Sequence, residues 1–390
     1  MNPLLTHWIW FSELPGLSQR QKLNLLRQGF EPEELYHTGT AEIEQIPDAA
    51  PLADKDLTHA REIAQQCREK GIGILTFRDA AFPSRLRNVD DGPVLLYYRG
   101  NLPDLDAQPV IALVGTRKAT PYGLRIARSM AGQIAACGGL VVSGGAFGVD
   151  AAAMESALDA GFFTVGVLGC GVDVVYPVSN RNLFERVVAK GCLISEYPPG
   201  TKPEYWHFPQ RNRIISGISH GVLIVEAPRK SGALITARCA LEQGRDVFVV
   251  PGNIDSAACE GSNSLLMEGA QPVMHGWNLM ETYAHQYPDT VSQRDVRITP
   301  EKETPTAPCD KINIDNPAVP PYSGMMDRLS DLSEEEKTLV SCLTVEPMLI
   351  DTLIDRTGIP AAKVLSMLTM LSLKGYVTMH PGRRVSAKID

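Results

Sequence analysis

Short runs of β-branched and aliphatic residues recur through the middle of the chain, and most are followed by apolar residues at helical spacing. VIALV at Val110–Val114 precedes a helical pattern that ends near Cys137, LVVS precedes one from Val149, and FFTVGVL precedes one from Asn180. CLIS, GVLIVE and DVFVV follow, each closed by a turn signal. Strands alternating with helices predict an α/β fold, a mostly parallel, doubly wound sheet covered on both faces. Before it, residues 1–70 carry a helical pattern in which LPGLSQRQKLNLLRQG reads as helix, glycine turn and helix, so a small all-α module is expected. The LLYY run within Phe82–Gly100 reads as a strand at the edge of the central domain.

Beyond the sheet, residues 285–330 hold Pro288, Pro300, Pro305, Pro308, Pro317, Pro320 and Pro321 with no apolar period, and read as a linker. In residues 331–390, Ser333 stands three residues before Glu336, a capping-box spacing. Two further helical patterns and a hairpin-like YVTMHPGRRVSA complete a winged-helix pattern. The expected division is therefore 1–70, 71–284, a linker over 285–330, and 331–390.

Composition narrows the class of protein. The longest apolar runs fall far short of the ~18–20 residues of a membrane span, and MNPLLTHWIWFSE has neither a basic leader nor a cleavage site, so no secretory signal is expected. The eight cysteines form no C-x-x-C pair and no His/Cys cluster at metal-ligand spacing. Reduced thiols in a cytoplasm are expected, with no metal and no cofactor. The net charge of −8 argues against nucleic acid at first sight. Its distribution changes the picture, because residues 1–109 hold 11 basic against 16 acidic residues while residues 110–282 hold 14 of each. A neutral domain can present a basic face if its charges segregate.

Candidate chemistry clusters at the carboxyl ends of the predicted strands, where open α/β sheets bind ligands. In VGTRKATPYG, Arg117 is placed to fork onto phosphate oxygens, unless it is a plain surface arginine. In SGGAFGVDAAA, Ser143, Gly144, Gly145 and Ala146 lie between a strand and a helix start, where backbone amides and the helix dipole favour an anion. The alternative is a tight turn with Asp150 as a helix cap. Neither G-x-x-x-x-G-K-[ST] nor a clean G-x-G-x-x-G is present, which leaves nucleoside-triphosphate and dinucleotide readings weak. Tyr176, on a stiff Tyr-Pro turn, offers a ring for stacking on a base or for packing on the sheet, and Asn180 reads as the next helix's cap.

FPQRNRIISGIS is the most informative segment. Arg211 and Arg213 flank Asn212 where an apolar helical period begins, so an arginine is expected at the helix start, where it opposes the dipole unless an anion is near. The competing reading is an internal ion pair with Glu226 or Glu196. Finally, Arg229, Lys230, Ser231 and Gly232 stand between a strand and the next helix and form a second candidate anion site.

The ordered series VGTR, SGGAFGVD, LGCGVDVVYPVSN, ISEYPPG, FPQRNRIISG, IVEAPRKSGALITA, VFVVPG and GSNSLLMEGA resembles the DNA-processing protein A family, DprA or Smf, over roughly residues 75–275. The resemblance implies an extended Rossmann-like fold, a homodimer through that domain, and cooperative binding of single-stranded DNA without catalysis. It also implies protection of incoming strands in natural transformation and loading of the RecA recombinase onto them. On this reading Arg117, the Ser143–Ala146 turn and the region of Arg211 and Arg213 contact phosphates. Two positions depart from many members: Met154 stands where they have His, and Val178 where some have a basic residue.

Two rival classes share parts of this pattern. A nucleotide phosphoribohydrolase of the lysine-decarboxylase-like Rossmann group has a PGG-x-GT-x-x-E motif, and here PRKSGALITARCA lacks its glutamate. A sequence-specific transcription factor would read bases with Pro360–Lys374, whose surface is too apolar for that role. For assembly, Leu265, Leu266 and Met267 on a late short helix are the expected homodimer edge.

Overall fold

Nine strands form the central sheet of a computed structural model that describes residues 3–43 and 50–294, together with 336, 339, 342–343, 348–357, 359–373, 376–380 and 384–387. They are β1 (Gly73–Thr76), β2 (Leu95–Gly100), β3 (Val110–Val114), β4 (Leu140–Ser143), β5 (Thr164–Val167), β6 (Cys192–Ser195), β7 (Gly221–Ile224), β8 (Asp246–Val249) and β9 (Gln271–Pro272). Their order is β1-β2-β6-β5-β4-β3-β7-β8-β9. Pairing is parallel from β6 to β9, and β2 and β1 join the β6 side antiparallel. The LLYY run is thus strand β2, inside the sheet next to β6 rather than at its outermost edge.

Strands β3 to β7 are buried along their whole length, which is why they read as continuous apolar runs. From β3 the chain steps to one side through β4, β5 and β6, then returns to the other side of β3 at β7. That reversal makes β3 the topological switch point, and the loops after β3, β4 and β7 diverge there to leave a crevice. Local chemistry sets the helices that face it. Thr120 caps the helix Pro121–Ala136 by accepting from the Gly123 amide, and Ser231 caps Gly232–Glu242 by accepting from the Ala233 amide.

Two hydrophobic clusters cover the sheet. One includes Ile111, Leu113, Ala131, Ile134, Ala153 and Phe248. The other includes Ile214, Ile218, Ala237 and Leu193, and it also takes in Phe11, Leu23 and Leu26 from the N-terminal helices Pro3–Glu13 and Gln19–Arg27. Residues 1–302 accordingly form one compact unit. The expected break at 70/71 is crossed by packing and by polar ties: Arg27 Nη2 donates to the carbonyls of Arg87 at 2.9 Å and Val89 at 3.1 Å, and Arg78 pairs with Glu31 at 2.6 Å. The linker also begins later than expected. Tyr287 meets His220 at 2.8 Å, Val291 is buried against the sheet, and Ser292 N–H donates to the Cys137 carbonyl. From 295 to 330 the expected linker lies outside the described residues.

The second unit, residues 303–390, is described by itself. Helices Ile350–Thr357 and Ala361–Leu373 pack with a three-stranded antiparallel sheet of Met348–Leu349, Arg384–Ala387 and Val377–His380, in that order. Its core includes Leu339, Ile350, Leu353, Val364, Leu368 and Val385. This is a winged-helix arrangement, with Met348–Leu349 as a third strand that the sequence pattern did not suggest. Ser333 of the expected capping box lies outside the described residues. Among the described residues, no helix is long and apolar enough to cross a membrane, and no cluster of His, Cys, Asp or Glu has metal-binding geometry.

Candidate nucleic-acid interface

The crevice at the switch point has a volume of about 540 Å³ and is walled by the loops after β3, β4 and β7 and by the helix His207–Ile218. Arg117, directly after β3, is exposed, with its guanidinium 5.2 Å from the centroid of the Phe208 ring. Lys230, Ser231 and Gly232 form the opposite lip, at the capped start of the helix Gly232–Glu242. Tyr176 lines the mouth, its ring 5.5 Å from Phe208. The lining holds three cations, Arg117, Arg211 and Lys230, and one carboxylate, Asp150.

Arg211 forms the floor. It is 4% exposed, and its Nη1 donates to the carbonyls of Gly144, at 2.6 Å, and Val167. Burial lowers its pKa to about 10, so it remains charged at neutral pH. Asp150, in the first turn of the helix Val149–Asp159, is also buried, and desolvation raises its pKa against the opposing pull of Arg211. Gly144 sits over both groups. A Cβ there would lie 2.7 Å from Arg211 Nη1, from Arg211 Nη2 and from Asp150 Oδ2, so any side chain at this position would push the two groups from where they are. Gly145 and Gly148 have φ of 65° and 76°, which turns the backbone into the helix start. Asn180 stands at the N-cap position of the helix Arg181–Lys190, as expected, but its side chain makes no cap hydrogen bond. Instead its Nδ2 donates to the carbonyls of Gly145 at 3.0 Å and Ala146 at 3.3 Å and braces the turn.

Several expected site residues are placed differently. Ser143 is fully buried and its hydroxyl donates to the Leu113 carbonyl at 2.7 Å, so of the Ser143–Ala146 turn only Ala146 lines the crevice. The helix starts at His207, which puts Arg211 in its second turn rather than at the dipole's positive end. Arg213 leaves the crevice altogether: successive helical residues turn by about 100°, so two residues carry it to another face. There it pairs with Glu196 at 2.5 Å and Asp91 at 3.6 Å, beside a second cavity bordered by Glu13 and Arg20. Arg229 points outward, 3.6 Å from Glu260, and does not line the crevice. Asn212 does line it, and its Nδ2 donates to the Gly232 carbonyl at 3.2 Å.

Glu226 is 1% exposed and accepts from the Thr120 amide at 2.9 Å and hydroxyl at 2.6 Å, so it fixes the helix after Arg117, and among the described residues it pairs with no arginine. Of the two departures from the family pattern, Met154 is fully buried, with its Cε close to Gly166, and has no surface to offer a ligand, whereas Val178 is 68% exposed. Phe208 and Tyr205 line the crevice without having been singled out beforehand. An aromatic directly before Pro in FPQRNR was the available signal for Phe208, while Tyr205 lies in a loop without periodicity.

The model of the family described as DNA recombination-mediator protein A matches residues 73–284, and that of the DprA winged helix domain matches residues 326–383. The chain is 30% identical to Protein Smf of Synechocystis over 97% of both chains. It is 38% identical to DNA processing protein DprA of Bacillus subtilis over 55% of this chain and 72% of that one. Among solved structures, DNA processing protein A of Streptococcus pneumoniae superposes with a TM-score of 0.62 at 34% identity, over 71% of this chain and 97% of that one. DNA processing protein A of Helicobacter pylori, a structure reported for its single-stranded-DNA binding mode, superposes with a TM-score of 0.51 at 32% identity, over 55% and 97%. With one family model spanning the sheet, a second at the carboxyl end, and identity sustained along nearly the whole of a relative, the chain belongs to the DNA recombination-mediator protein A family.

Proposed function

We propose that this protein binds single-stranded DNA in the switch-point crevice without catalysis, with Arg117, Lys230 and the two helix starts holding phosphates over the Arg211 floor. The observation that carries the reading is charge segregation: a chain with net charge −8 gathers three cations and one sealed carboxylate around one cavity. An acidic protein that concentrates positive potential in a low-dielectric cleft is built to focus an anion there. The relative from Helicobacter pylori, whose structure was reported for single-stranded-DNA binding, supports the choice of anion. Support for a non-catalytic role comes from Asp150, the one carboxylate on the crevice lining, and from Glu226, which is buried outside that lining. Asp150 is buried against the Arg211 floor, and both oxygens of Glu226 are taken by Thr120, so neither is free to act as a base on a substrate.

In the cell, the reading extends to natural transformation in the cytoplasm, where a homodimer built through the sheet domain protects incoming strands and loads the RecA recombinase. Membership of a recombination-mediator family supports that role. The test is a gel-shift comparison of single- and double-stranded oligonucleotides of equal length over a salt series. Single strands should bind tighter, and Arg117→Ala should weaken them and flatten the log–log salt slope by about 0.7 for the lost phosphate contact. Equal affinity for duplex, or release of free base from nucleotides, would reject the proposal.

A further inference from the structure

The loop from β6 to the helix His207–Ile218 carries Tyr205, 80% exposed and on the lining of the crevice, followed by Trp206, 48% exposed. Their rings meet edge to face at 5.0 Å and 81°. Trp206 in turn meets His207 edge-on at 5.8 Å, and His207 stacks on Tyr197 at 4.0 Å and 28°. The backbone beneath them is braced. Thr201 Oγ1 donates to the Pro198 carbonyl at 2.7 Å, the Gly171 amide donates to the Thr201 carbonyl at 3.0 Å, and His207 Nδ1 lies 3.2 Å from the Gly169 carbonyl.

Large rings held out in water by a braced loop forgo the burial that normally retains them, and such exposure marks a binding surface. Their position decides the kind of ligand. Tyr205 borders the same cavity as the crevice cations, so whatever these rings receive is continuous with a group whose anionic part lies among Arg117, Arg211 and Lys230. A polymer that alternates phosphates with flat apolar faces matches that juxtaposition, and only an unpaired strand leaves those faces open.

We infer that Tyr205 and Trp206 form a base-stacking platform for the nucleotides next to those held in the crevice, and that this platform contributes the preference for single over double strands. The inference rests on the single-stranded-DNA reading above. Because ring faces carry no hydrogen-bond pattern, the platform accepts any base, whereas the crevice supplies the salt-dependent part of the affinity.

The test uses the full chain and fluorescently labelled oligonucleotides, one natural and one abasic of equal length, with anisotropy read over a salt series. The Tyr205→Ala/Trp206→Ala double variant should bind the natural strand about tenfold more weakly. Its salt slope should be unchanged, and its affinity for the abasic strand should equal that of the unsubstituted protein. The Tyr205→Phe/Trp206→Phe double variant, which keeps both rings, should retain most of the affinity that the double alanine variant loses. Unchanged affinity of the double variant for the natural strand overturns the platform alone. So does a loss accompanied by a changed sedimentation coefficient, which assigns the rings to a protein contact. Failure of the unsubstituted protein to bind single strands at all rejects the underlying reading, and the platform with it.

Discussion

Two residues along an α-helix amount to about 200° of rotation, and that angle separates Arg211 from Arg213. Arg211 turns its guanidinium to the backbone of the β4 and β5 loops, while Arg213 turns to Glu196 in the seam beneath the N-terminal helices. Their substitutions should therefore read differently. Arg213→Ala leaves the Glu196 carboxylate buried without its partner and should cost about 3–5 kcal/mol of stability. Thermal or denaturant melts should show that loss, while the salt slope of single-strand binding in the folded protein stays as it was. At Gly144 the expected pattern differs. Gly144→Ala pushes a methyl against Arg211 and Asp150, so the crevice floor must shift and single-strand affinity should fall with a cooperative melt retained, at an overpacking cost of about 1–3 kcal/mol of stability. A Gly144→Ala protein with normal affinity would show that the floor can shift without consequence.

Among the elements, the short helix Glu260–Met267 illustrates how an apolar run divides its work. Leu265 is 8% exposed and belongs to the core, Leu266 packs partly against it, and Met267 is 89% exposed. The sequence implies that not all three can face inward, and one helical face must anchor the helix before another can meet a partner. In the proposed homodimer, Met267→Glu should give a soluble monomer by sedimentation with an unchanged melting temperature. Leu265→Glu should instead lose on the order of 3 kcal/mol of stability, because it buries a charge. A monomer from neither variant would move the assembly surface elsewhere.

At the scale of the whole molecule, the N-terminal helices are part of the sheet's packing. A fragment of residues 71–284 removes Phe11, Leu23 and Leu26 from the core and cuts away Tyr287 and Val291. It should lack a cooperative melt. A fragment of residues 1–294 keeps every one of these contacts and every crevice residue, and should melt cooperatively and hold single strands within about threefold of the full chain, under 1 kcal/mol. A loss beyond tenfold in that fragment would assign DNA contacts to the winged-helix unit.

Local pattern was enough to specify the strands β3 to β8, the helices between them and the glycine-rich turn after β4, because period and turn chemistry are properties of neighbouring residues. It also pointed to the strands' carboxyl ends, where the structure has a crevice, since an α/β sheet presents its loops there. Which side chains share the crevice was a tertiary matter. Ser143 spends its hydroxyl on Leu113, Arg229 faces Glu260, Arg213 faces Glu196, and Asn180 braces a turn 35 residues away. Each outcome depends on groups 17 to 35 residues apart in the chain, brought close only by the folded arrangement of strands and helices. The same holds for the joining of residues 1–70 to the sheet: an amphipathic helix declares that it has a face to bury, and only the folded chain supplies the surface that buries it.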